Sequence, residues 1–89
     1  MWILTNGNEL VNTNQVISIT AKDISEMEYS SAGAAKVNKK ALVAGLSDGE
    51  TCILVSFAVD VSSDSIGVYL DAIKQGLITK IALCDLTSL

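Results

Sequence analysis

Apolar side chains alternate most clearly after Ser47-Asp48-Gly49, where Thr51, Ile53, Val55, Phe57 and Val59 recur at every second position. A period of two places such residues on one face of a strand. Ala41 to Leu46, just before the turn, is apolar at both parities, as in a central strand or one covered by another subunit. Together the two runs predict a hairpin from Ala41 to Val59. Nearer the start, Asn6-Gly7 separates Trp2-Ile3-Leu4 from Glu9-Leu10-Val11. Asn-Gly supplies the two positive φ values of a type I′ turn, which predicts a second hairpin. Asn12-Thr13-Asn14 then punctuates the chain before Gln15 to Ala21, where Ile17, Ile19 and Ala21 alternate with Val16, Ser18 and Thr20. That run predicts a half-buried strand.

The period changes after Asp60. Ile66, Tyr69, Leu70 and Ile73 follow helical spacing, which predicts a helix over about 63–75. Ser62 or Ser63 is placed to cap it, and with Ser62 as the cap Val61 and Ile66 stand as a hydrophobic staple. Asp64 in the first turn and Lys74 in the last suit the helix dipole, and Gly76 is placed to end the helix in a left-handed conformation. Leu77 to Cys84, with Ile78, Thr79 and Ile81, predicts a final strand. If the strands of the Thr51 to Cys84 unit are parallel in one sheet, the crossover is right-handed.

Between Asp23 and Lys40 no pattern dominates. Ile24 to Tyr29 reads as a short strand, and Ser30 to Ala35 as a small-residue exposed loop. The expected architecture is a single small α+β domain over residues 1–89. Its antiparallel, strongly bent sheet has about five or six strands and carries the helix on one face. Ile66, Tyr69, Leu70 and Ile73 would meet Ile17, Ile19, Ile53, Val55 and Phe57 there.

Composition narrows the chemistry. The chain has 89 residues, is 49% hydrophobic and contains neither His nor Pro. All six basic residues are lysines, against ten carboxylates, for a formal charge of −4. Without His, the Ser-His-Asp and Cys-His arrangements and His-ligated metal sites are excluded. Without Arg, the usual bidentate reader of phosphate and guanine is missing, and net acidity opposes binding to a phosphate backbone. No eighteen-residue apolar run is present to span a membrane, and no signal peptide is visible, so a cytoplasmic setting is expected.

Each candidate site has a plain alternative. Asp60, Asp64 and Asp71 read as solvated caps and surface charges rather than as an acid pair or metal site. Gly45 to Glu50 lacks the ending of a phosphate loop and reads as a hairpin turn. Cys52 and Cys84 form no Cys-x-x-Cys pair and read as small hydrophobes; no His or sequence-near Lys would activate Cys52. Gly67, mid-helix, costs about 1 kcal/mol relative to Ala, and either close approach of another backbone or drift accounts for it. Lys36, Lys39 and Lys40 are a possible anion contact, with Tyr29 nearby to stack a base. Trp2 and Leu4 lie on one side of a first strand that reads as an edge strand apolar on both faces, and with Leu42 and Val68 they are the candidate interface residues.

The placement of Asn6-Gly7, Asn12 or Asn14 and Ile17 to Ile19 resembles that of the short flagellar FlbD family over about the first twenty residues, a span set by hairpin turn chemistry. The 23–40 segment and the strand after the helix depart from that family, and no role is carried over. The mean hydropathy of +0.44 is high for a chain this short. The expected function is therefore a non-enzymatic structural or protein-interaction module, acting as a homo-oligomer or assembly subunit without a cofactor. A nucleic-acid-associated accessory protein using Lys36, Lys39 and Lys40 is the alternative. A small-molecule-binding protein or enzyme using Cys52, Asp60 or Asp64 ranks third.

Overall fold

A computed structural model describes residues Met1–Leu89. The elements are β1 (Trp2–Leu4), β2 (Leu10–Asn12), β3 (Val16–Ser30), β4 (Gly33–Leu46), β5 (Thr51–Ser56), α1 (Ser63–Thr79) and β6 (Leu83–Asp85). The class is α+β with six strands, as the pattern indicated. The strands divide into two three-stranded sheets, ordered β2-β1-β6 and β3-β4-β5, rather than forming one bent sheet. In the small sheet β1 runs antiparallel to β2 and parallel to β6. The strands flanking α1 therefore lie in different sheets, and the expected parallel crossover between them is not formed.

Both short hairpins share one loop geometry. Thr5 N–H donates to Glu9 C=O at 2.8 Å and Asn8 N–H to Thr5 C=O at 3.0 Å. Leu46 N–H donates to Glu50 C=O at 2.9 Å and Gly49 N–H to Leu46 C=O at 3.0 Å. Each loop has three residues and ends in a left-handed one, Asn8 (φ 62°) or Gly49 (φ 87°). The type I′ turn expected at Asn6-Gly7 is not made, because the single positive φ falls on Asn8. Asn and Gly are the residues that occupy this conformation at least cost.

Two bulges decide which residues are buried. In the β3–β4 ladder Val16 faces Leu46 and Ser18 faces Gly45, leaving Ile17 unpaired. Ile17 is 74% exposed, so it is not the core residue that alternation predicted, whereas Ile19 packs against the core. In the β4–β5 ladder Leu42 faces Val55 and Val43 faces Ile53, so Leu54 is the extra residue. A bulge breaks the period of two. Leu54 and Val55, adjacent in sequence, are both buried, and Ile53 is exposed. The strand ends at Ser56, three residues before the expected Val59.

The segment 23–40 is regular hairpin rather than strand and loop. β3 and β4 pair continuously from Ser18–Gly45 out to Ser30–Gly33, with only Ser31 and Ala32 at the tip. β5 reaches along β4 only to the Ala41–Ser56 pair. Beyond it the hairpin is a two-stranded arm, which makes the molecule 47 Å long and 20 Å thick.

Of the two candidate serines, Ser62 caps α1 by accepting from Ser65 N–H and Ser63 is the first helical residue; Asp64 lies in the first turn, as expected. The C-terminus differs. The helix runs four residues past 75, so Gly76 is interior and buried, and Leu77 to Thr79 are helical rather than extended. Lys80 takes the left-handed position (φ 57°), and Ile81 N–H closes back on Gly76 C=O at 3.1 Å. Lys74 is then outside the last turn. A Cβ on Gly76 would stand 2.8 Å from Met1 Sδ and 3.0 Å from Ile81 Cδ1, so side chains crowd Gly76, whereas no backbone approaches Gly67.

One core joins these parts. Ile3, Val11 and Cys84 from the small sheet cluster with Leu42, Ala44, Leu54 and Val55 from the large one. Ile66 and Ile73 from the helix and Leu86 after β6 complete the cluster, with Phe57 edge-on to Tyr69 at a centroid distance of 5.1 Å.

Candidate functional site

The small sheet sorts its residues by row. Ile3 pairs with both Val11 and Cys84, and all three are buried. The flanking rows place Trp2 beside Asn12 and Leu83, and Leu4 beside Leu10 and Asp85, on the opposite face. Trp2, Leu10, Ala82 and Leu83 line an open groove of about 370 Å³ on that face. The groove has no charged lining residue, and its one side-chain hydrogen-bonding group is the Trp2 indole N–H. Such a lining suits apolar contact. Trp2, Leu10 and Leu83 remain about half exposed or more.

The four interface candidates separate. Trp2 lies in the groove wall, and Leu4 is half-buried in the same strand. Val68 is exposed on α1, where a Cβ on neighbouring Gly67 would meet nothing within 4 Å. Leu42 is fully buried in the core and presents no surface, because β3 and β5 flank it and the helix residues join the cluster over it. Ala82 and Leu83 were not singled out from sequence, since their proximity to Trp2 depends on β1 pairing with β6 across almost the whole chain; Leu10 was missed although it lies opposite Leu4 in the first hairpin.

The arm carries the charge. Lys39 Nζ lies 3.1 Å from Glu26 and 3.2 Å from Glu28. Hydrogen bonds to Glu26 and then Glu28 hold its ammonium above the ordinary lysine value. Lys40 pairs with Asp23 at 3.0 Å. Of the three lysines considered for an anion, Lys36 alone has no carboxylate partner. Lys22 is likewise unpaired. Met27 and Tyr29 stand exposed near the tip.

The remaining polar candidates stay dispersed. Asp60, Asp64 and Asp71 are exposed and gather with no other ligand type into a cluster. Gly45 to Glu50 is the hairpin turn described above. Cys52 and Cys84 are free thiols. Burial pushes both up from the ordinary thiol value, with a smaller push from Glu9 on Cys52 and from Asp85 on Cys84. A raised thiol holds less thiolate, the form that attacks an electrophile. No helix of the structure is long and apolar enough to cross a membrane.

No protein-family model matches the chain, no curated protein matches it, and no solved structure matches its fold.

Proposed function

We propose that this protein is a non-enzymatic assembly module, working as a homo-oligomer or as a subunit of a larger complex in a reducing, cytoplasmic setting. The observation that carries the reading is the arm. Its distal pairs, from Asp23–Lys40 to Ser30–Gly33, have no third strand. A two-stranded ribbon is marginally stable in water by itself, and a third strand or an apposed surface stabilises it. The groove at Trp2, Leu10, Ala82 and Leu83 adds a second uncovered apolar area. Two free thiols fit a reducing compartment.

Light scattering with sedimentation velocity through the micromolar range tests the reading. The expected mass is a multiple of 9.4 kDa that falls on dilution. A 9.4 kDa particle at every concentration overturns the homo-oligomer.

A further inference from the structure

We propose that the free edge of β3 recognises the same edge of a second copy, pairing antiparallel about a two-fold axis through Ile24 with Lys22 of each copy opposite Glu26 of the other. This rests on the assembly reading and names its partner.

β3 is the terminal strand of its sheet and pairs with β4 alone. Its other edge, 15 residues long, carries backbone N–H and C=O groups with no sheet partner. Such an edge is a template for another strand unless Pro, bulges or charges blunt it. The chain has no Pro, and the Ile17 bulge blunts only the base of the strand. The remaining deterrents are Lys22, Asp23, Glu26 and Glu28, and their order determines which register they forbid.

A two-fold axis normal to the sheet sets residues of equal parity opposite one another. Centred on Lys22, Asp23 or Glu26, the pairing sets like charges face to face. Centred on Ser25, it also gives Lys22 opposite Glu28, but it sets Ile24 against Glu26 and Met27 against Asp23, two apolar side chains against carboxylates. Centred on Ile24, it gives Lys22 opposite Glu26 twice, Asp23 opposite Ser25, Ala21 opposite Met27, and Ile19 opposite Tyr29. Opposite charges and apolar–aromatic pairs are the favourable cross-strand combinations.

The charges within one copy complement this register. Glu26 and Glu28 share a single cation, Lys39, on the face that also carries Lys22. The two carboxylates are short of one positive charge, and Lys22 has no carboxylate. A second copy supplies each with the other. On the opposite face, Met27 and Tyr29, exposed in one copy, gain Ala21 and Ile19 as neighbours.

Two measurements on the full chain test the proposal. K22E alone and E26K alone set like charges together, and each should weaken self-association about tenfold or more. An equimolar mixture restores opposite charges at both positions and should recover the wild-type mass. Separately, Ile24→Cys in a Cys52→Ser, Cys84→Ala background should give a disulfide-linked dimer under mild oxidation, and Ser25→Cys should not. Weakened single variants that fail to recover on mixing overturn the proposal. A wild-type oligomer indifferent to both charge changes, with no cross-link at Ile24→Cys, overturns the β3 register and leaves the assembly reading standing. A monomer throughout overturns both.

Discussion

The side chain of Asn6 and the backbone of Ser56 exchange two hydrogen bonds, Nδ2 to Ser56 C=O at 3.1 Å and Ser56 N–H to Oδ1 at 3.4 Å. Asn6 N–H also donates to Leu54 C=O at 3.2 Å. A loop of the small sheet thus satisfies the outer edge of β5 in the large sheet. The amide is needed because it donates and accepts in one plane. Asn6→Ala should lower stability by about 1–2 kcal/mol in urea unfolding. Asn6→Asp, which keeps the acceptor and loses the donor, should fall between. Unchanged stability in Asn6→Ala would show that the core alone holds the sheets together.

Gly67 and Gly76 share one helix but differ in surroundings, Gly67 facing open space and Gly76 facing Met1 and Ile81. Alanine at an open helix interior gains about 1 kcal/mol over glycine. Gly67→Ala meets nothing and should gain close to that. Gly76→Ala forces Met1 and Ile81 to shift and should show no gain. Thermal unfolding of the two variants side by side checks this, and equal gains would refute the Gly76 contact.

The bulges predict an inversion of expected core roles. Ile17→Thr should change stability by less than about 0.5 kcal/mol, the range of an ordinary surface substitution. Leu54→Ala, at a site with no exposure, should cost about 2–5 kcal/mol. A costly Ile17→Thr in denaturant titration would mean that β3 pairs without its bulge.

Alkali should destabilise the fold. The folded-state values of Cys52, Cys84 and Lys39 are all raised. A group with a raised value contributes its stabilisation fully below its unfolded value and loses it as pH rises through the folded one. The urea midpoint should hold steady through neutrality and fall above the ordinary thiol value of 9.0. Iodoacetamide rates should show an inflection at higher pH in the native protein than in urea. A native inflection at or below the unfolded one would remove burial as the cause.

Much of the local structure was legible. The Ser47 to Gly49 turn and the serine cap of α1 depend on groups within a few residues; the turn stands where sequence placed it, and the cap falls on Ser62, the first of the two candidate serines. The Asn6-Gly7 region was legible as a hairpin but not as a turn type, because Asn8 could take the left-handed position equally well. The arm was obscure for a different reason. Hydrophobic alternation signals a buried face, and Asp23 to Lys40 has no such face, so a continuous ladder there left no apolar period to read.

The candidate surfaces were partly legible. Trp2 stood out as apolar on an expected edge strand, but β1 is the central strand of its sheet, and the groove partners Leu10, Ala82 and Leu83 are assembled by the strands that flank it. Lys36, Lys39 and Lys40 stood out as a cluster, but two of them face carboxylates across the hairpin.

By itself the sequence determined the α+β class, the hairpins, the helix and its N-cap, since turn chemistry and periodicity act over short spans. Only the tertiary structure decided the division into two sheets, the parallel β1–β6 pair, the bulges at Ile17 and Leu54, and the passage of α1 through Gly76. Each of these depends on which distant strands share hydrogen bonds and which side chains fill the space between them, quantities that no local pattern contains.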